Sequence, residues 1–308
     1  MVYNCNNSPN CYSSVISRFV MKDKPTNAFN PKNKDFKDLL EYALRKSFAD
    51  FNFRTLNKVK DKNGKAKIDN ELQKDETVTA YLIEKLDEKQ FLSLFVTYFW
   101  NKALDKDDFD KWHHEACDKF LKIIRDLDIY SEIEHGKAQK IVNMMFKHLY
   151  CLNGADKYSD YFKYCHFVLD SFTLEWFRRD VVKEWYNESN EESISTSSED
   201  KPFPKWSNIT YRDPSNLDYN KAPDRIDNGG YYHYMFFQTM IRNYFDAKHA
   251  QCGCTPFQAE FHIWPDIQIH LACEDFYFAL CDNLSKKDKE DFKKKDLNDK
   301  KAEIKNQL

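Results

Sequence analysis

Apolar residues in this chain recur at helical spacing along several separate stretches. In FKDLLEYALRKSF, Phe36, Leu39, Leu40, Ala43 and Leu44 follow three- and four-residue steps and so share one helical face. DETVTAYLIEKL, with Asp75 or Thr77 available to cap its start, continues the pattern, as do KQFLSLFVTYFW and DKWHHEACDKFLKIIRDL. These read as consecutive helices joined by short polar turns. Only 6 Gly and 9 Pro occur among 308 residues, too few turn points for an all-β chain, whereas 25 Phe, 18 Tyr and 6 Trp supply large side chains for helix packing. The expected fold class is mainly α. A small N-terminal β-hairpin is the exception, in KVKDKNGKAKI, where Lys58, Lys60, Lys62, Lys65 and Lys67 flank the turn dipeptide Asn63-Gly64. That stretch is also the clearest local basic patch, although a solvated loop has the same composition.

The chain divides by composition into five parts. Residues 1–33 form an irregular lead, 34–186 a helical region, and 187–204, rich in Ser and Glu without periodicity, a flexible insertion. Residues 205–284 hold the aromatic helical segments YYHYMFFQTMIRNYF and PFQAEFHIWPDIQIHLACEDFYFAL, expected to pack on the same core. Residues 285–308 are a charged tail, either an exposed helix or disordered. A formal charge of −3 gives no overall basic field, so any nucleic-acid binding must use a local patch. Nine cysteines, an odd number, and no basic-then-apolar leader point to reduced thiols and a cytoplasmic location. No apolar run approaches the roughly 20 residues needed to span a bilayer, and neither GxxxxGKS nor GxGxxG is present.

The stretch EHGKAQKIVNMMFKHLYC is more specific. On a helix from Lys137 to Tyr150, Ile141, Met144, Met145 and Leu149 form an apolar stripe, while Lys140, Asn143 and Lys147 fall on another face. Gly136 precedes it, where its freedom in φ permits a sharp turn, and the first-turn amides would be open to a phosphate. An ordinary amphipathic helix with solvated lysines has the same pattern.

Gly136-Lys137-Ala138-Gln139-Lys140, followed by an apolar segment ending in Asp170, resembles the core of the helix-hairpin-helix DNA glycosylases. IYSEIEHGKAQK matches the hairpin and CHFVLDSFTLEWFRR the helix led by the aspartate. Ala138 stands where a second glycine is more usual, and the interval from Lys140 to Asp170 is similar to that of an archaeal 8-oxoguanine branch. The resemblance implies a DNA partner and no cofactor or metal. It implies Asp170 as the catalytic carboxylate and Lys140 as the amine of a strand-cleaving lyase. Gly136, Lys137, Ala138, Gln139 and Lys147 would be DNA-binding residues. Trp112, Trp176, Tyr231, Tyr232 and Trp264 are available to stack on a flipped base, though each suits a core better than a platform. The enlarged aromatic C-terminal region would fit a pocket rebuilt for a bulky modified base, such as those of phage DNA, and a role in phage defence. A non-catalytic helical nucleic-acid-binding or protein-interaction protein is the alternative.

Other groupings are weaker. Cys252-Gly253-Cys254 with His262 and His270 offers zinc-type ligands at poor spacing. Trp112-His113-His114-Glu115 lacks the second histidine one turn on that HExxH supplies, and Cys117 reads as an inert buried thiol.

Overall fold

The computed structural model describes residues 27–50, 57–58, 75–101, 105–128, 130–182, 205–211, 233–249, 254–281 and 283–308. The Asn63-Gly64 turn, the Ser/Glu-rich insertion, Tyr231, Tyr232 and Cys252 lie outside them. The described chain is mainly helical, and the first helices fall where apolar periodicity puts them: α1 Phe36–Ala49, α2 Asp75–Glu88, α3 Phe91–Asn101, α4 Lys106–Asp126 and α5 His135–Tyr150. After a 3-10 segment at Ala155–Phe162 come α6 Ser171–Trp176, which runs into a π-helical turn at Phe177–Val181, and a 3-10 turn at Trp206–Asn208. The chain ends with α7 Tyr234–His249, α8 Pro256–Leu280, α9 Lys286–Lys293 and α10 Leu297–Gln307. Among the described residues no helix is long and apolar enough to cross a membrane.

Among the described residues strand pairing is minimal, and the expected local hairpin lies outside them except for Lys58. Asn57–Lys58 (β1) pairs antiparallel with Tyr130–Glu132 (β2), with Asn57 opposite Glu132 and Lys58 opposite Tyr130. This long-range pair ties the segment after α1 to the turn before α5.

Among the described residues two apolar clusters form the core. The first joins α1 to α5 and takes in Phe29 from the lead, whose ring packs edge-on against Phe36, Phe99 and Tyr158. The second gathers Phe167, Leu169, Trp176 and Phe177 with α7 and α8. Helix α8 serves both, giving Phe257 and Phe261 to the first and Ala259, Ile263 and Ile267 to the second. Its start is fixed by a capping box in which the Thr255 hydroxyl accepts from Gln258 N–H and Gln258 accepts from Thr255 N–H.

The charged tail is helical and docked. Phe292 of α9 stacks on Tyr277 with ring centroids 3.9 Å apart. Lys300 of α10 is fully buried and donates to Glu274 at 2.5 Å, while Arg179 makes a two-bond fork to the same carboxylate at 2.6 and 2.8 Å.

Candidate functional site

Helix α5 departs from the simple amphipathic picture. Ile141, Met145 and Leu149 are buried as their stripe requires, but Lys137, Gln139, Asn143 and Lys147 on the polar side are buried too. The polar face lies against an extended segment, His166–Asp170, that joins the two core clusters. A buried extended backbone cannot leave its N–H and C=O groups bare, and here side chains from three helices pair with them. Gln238 of α7 accepts from Phe167 N–H at 3.0 Å and donates to Phe167 C=O at 2.8 Å. Glu260 of α8 accepts from Val168 N–H at 2.9 Å. Gln139 of α5 accepts from Leu169 N–H at 3.3 Å and donates to Leu169 C=O at 2.8 Å. The result is a rigid approach to Asp170.

Asp170 is the N-cap of α6. Its Oδ1 accepts from Phe172 N–H at 2.9 Å and Thr173 N–H at 3.0 Å, and its own N–H donates to Thr173 Oγ1 at 2.7 Å. Capping uses one carboxylate oxygen and orients the other. Oδ2 accepts from the Trp264 indole N–H at 3.0 Å and lies 3.9 Å from Lys140 Nζ. The Lys140 side chain is 15 % exposed and that of Asp170 10 %, so the pair sits at a rim rather than in open solvent. Lys140 Nζ also stands 4.9 Å over the ring of Trp206, a cation–π contact. Asp170 and Lys140, far apart in the sequence, are therefore neighbours, flanked by two indoles.

The other expected contacts fall differently. Gly136 lies inside the first turn of α5, and its N–H donates to Ile209 C=O at 2.8 Å, so this amide is not open to a phosphate. A Cβ at Gly136 would run into the carbonyl oxygen of Trp206, so glycine is required for close packing rather than for a bare anion site. Ala138 is fully buried in the first core cluster. Gln139 braces the Asp170 segment. Lys147 is buried against Glu260, Nζ to Oε1 2.7 Å, and burial raises that carboxyl's pKa against the pull of the lysine. The charge of Lys147 is thus met inside the fold by a buried counter-charge.

Of the stacking candidates, Trp176 is a core residue, its ring parallel to Phe167 at 5.2 Å, and Trp112 packs among Phe95, Tyr98 and Phe146 while donating to Leu94 C=O at 3.3 Å. Trp264 alone of the described candidates stands at the carboxylate. Trp206 was not among them. It lies in a stretch with no periodicity, and the Lys205-Trp206 pair carries no sequence signal of its place. A cavity of about 400 Å³ opens elsewhere, lined in part by Trp176, Arg178, Asp266 and His270, and includes neither Lys140 nor Asp170.

Behind Gln139 runs a polar chain that periodicity does not reveal. Gln139 Oε1 accepts from Asn143 Nδ2 at 3.0 Å, and Asn143 Oδ1 is 2.8 Å from His113 Nε2. Asn143 also donates to the Tyr234 hydroxyl at 2.9 Å, which is 2.8 Å from His166 Nδ1. His166 Nε2 meets Asp110 Oδ1 at 2.6 Å, and Arg242 forks onto the same carboxylate at 2.7 and 2.8 Å. Burial lowers the His166 pKa to about 4, outweighing Asp110. Although burial works to raise it, the Asp110 carboxyl is held well below the usual carboxylate range by His166 and Arg242.

No protein-family model matches this chain, and neither a curated protein nor a solved structure matches it.

Proposed function

We propose that the chain is a DNA glycosylase of helix-hairpin-helix type that excises a damaged or modified base, with Asp170 as the carboxylate and Lys140 as the amine. The observation that carries this reading is the 3.9 Å approach of Lys140 Nζ to Asp170 Oδ2 at a partly exposed rim. When the C1′–N bond breaks, its electron pair leaves with the base and positive charge develops on the deoxyribose. A fixed carboxylate in a poorly hydrated rim stabilises that charge more than one in water does. The departing base takes a proton from the Lys140 ammonium, and the freed Nζ lone pair forms a bond to C1′. The C1′–O4′ bond then breaks, O4′ taking a proton from the attached nitrogen, to give a protonated Schiff base, and loss of a C2′ proton to solvent expels the 3′ phosphate with the electron pair of its C3′–O bond. The base must leave the duplex to be reached, and at the pair Trp206 turns its ring face to Lys140 while Trp264 turns its N–H edge to Asp170.

Borohydride trapping on a panel of duplexes carrying modified bases tests this. Asparagine caps a helix about as well as aspartate, so Asp170→Asn keeps the start of α6 while removing the charge and setting an amide NH2, in place of the accepting Oδ2, against the Trp264 indole N–H. The expected result is a covalent adduct with the wild-type chain, no adduct with Lys140→Gln, and base release reduced by about 100-fold or more in Asp170→Asn with DNA retention nearly unchanged. Base release equal to wild type in a folded Asp170→Asn protein would overturn the assignment.

The alternative, a non-catalytic helical binding or interaction protein, draws on the same carboxylate. Oδ1 is fully used in capping and Oδ2 already meets an indole N–H, as suits a purely structural aspartate. On that reading no member of the panel loses a base, whichever variant is used.

A further inference from the structure

Where the polar chain branches from Asn143 to His113, the residues His113, Cys117 and His135 come together. His113 and Cys117 are one turn apart on α4 and so share a face, and His135 is the first residue of α5. All three are buried, and their ligand atoms lie within 4.8 Å of one another. The Cys117 sulfur is 3.7 Å from His113 Nδ1 and 3.9 Å from Nε2. Two donors on a tetrahedral zinc ion stand about 3.5 Å apart for a sulfur and a nitrogen, from bond lengths near 2.3 and 2.05 Å.

Two further observations point to a ligand. Both ring nitrogens of His135 are buried without a hydrogen-bond partner, an arrangement that costs free energy and calls for an ion or water. The tautomer of His113 is also set: with Nε2–H donating to Asn143 Oδ1, Nδ1 carries a lone pair, the outer-shell arrangement typical of a metal-binding histidine. Burial pushes the pKa values of the two imidazoles down and that of the thiol up. A bound divalent ion would displace the thiol proton to water and leave one thiolate and two neutral imidazoles around the metal.

We propose that His113, Cys117 and His135 form a site for a divalent cation of the zinc class, three protein ligands with a water in the fourth position. The metal clamps the start of α5 to α4. Through His113, Asn143 and Gln139 it also stiffens the segment that carries Asp170. The proposal does not depend on the glycosylase reading.

The full chain, purified without chelator, is expected to carry about one zinc ion by elemental analysis and to lose thermal stability on chelation, with recovery on adding zinc. Cobalt loading of the chelated protein is expected to give a sulfur-to-cobalt charge-transfer band in the near ultraviolet. That readout needs no variant. Cys117→Ser and His135→Gln should each abolish the band and the bound metal, while Asp118→Asn keeps both. Asp118 is the control because His114, Asp118 and His135 form a neighbouring, more exposed group. Absence of metal and of the band in the wild-type protein would overturn the proposal. So would metal retained in folded Cys117→Ser but lost in Asp118→Asn, which would assign the ion to the exposed group.

Discussion

Gln139 holds Leu169 by both halves of its backbone, donating Nε2–H to the Leu169 carbonyl at 2.8 Å and accepting the Leu169 N–H at 3.3 Å. The same amide donates to Gly136 C=O at 2.8 Å and accepts from Asn143 at 3.0 Å. Gln139→Ala would therefore strand several buried polar groups at once. A loss of about 2–4 kcal/mol is expected, at 1–3 kcal/mol for each group left unsatisfied and with partial relaxation. Denaturant unfolding measures the loss. If Gln139 positions Asp170, a Gln139→Ala protein assayed well below its melting point also releases base more slowly, with little change in DNA retention.

Gly136→Ala tests the close contact between α5 and the Trp206–Asn208 turn. The added methyl meets backbone rather than a yielding side chain, so the turn must shift and carry Trp206 away from Lys140. Overpacking of this kind costs about 1–3 kcal/mol. Thermal melting reports the cost, and a change in tryptophan emission reports the displaced indole. An alanine variant as stable as wild type would mean that the turn does not pack here.

Lys147 and Glu260 form a buried pair that also holds Val168. Lys147→Met leaves a buried carboxylate uncompensated, with an expected loss of about 3–5 kcal/mol. Adding Glu260→Gln removes that charge while keeping an acceptor for the Val168 N–H, so the double variant should recover most of the loss. A double-mutant cycle by denaturant titration checks this. Additive losses would show that the two side chains do not interact.

Much of the helical framework was legible from spacing, because Leu39, Leu40 and Leu44, or Ile141, Met145 and Leu149, need only a local 3.6-residue period to declare a buried face. The approach of Lys140 to Asp170 was legible only through the resemblance of the two short motifs, since nothing local links them. Burial of the polar face of α5 was not legible. Lys147 reads as a solvated lysine until Glu260, distant in the chain, supplies its counter-charge, and Gln139 as a surface residue until an extended backbone lies against it. His113 and Cys117 do share a readable one-turn spacing, but His135 joins them only through packing of α4 on α5. In the tail, the isolated aromatic Phe292 among charges was the one local sign of docking, and Tyr277 is its partner.

The last prediction concerns acid. Glu274 joins the π-helical turn, α8 and α10 through Arg179 and Lys300. Burial acts to raise its pKa, but hydrogen bonds from those two cations prevail and hold it below the ordinary value of 4.5. A carboxyl depressed in the folded state binds protons more readily when unfolded. Its stabilising contribution is therefore present above pH 4.5 and is lost as pH falls through the lower folded value. Glu175, which pairs with Arg178 and Arg179, is shifted the same way. Below pH 4.5, hydrogen exchange in residues 286–307 should accelerate before exchange in α4 does. Glu274→Gln should bring the same early release at neutral pH, since it leaves the fully buried Lys300 without its carboxylate. Uniform acceleration of α4 and α10 across the titration would mean instead that the tail unfolds only with the core.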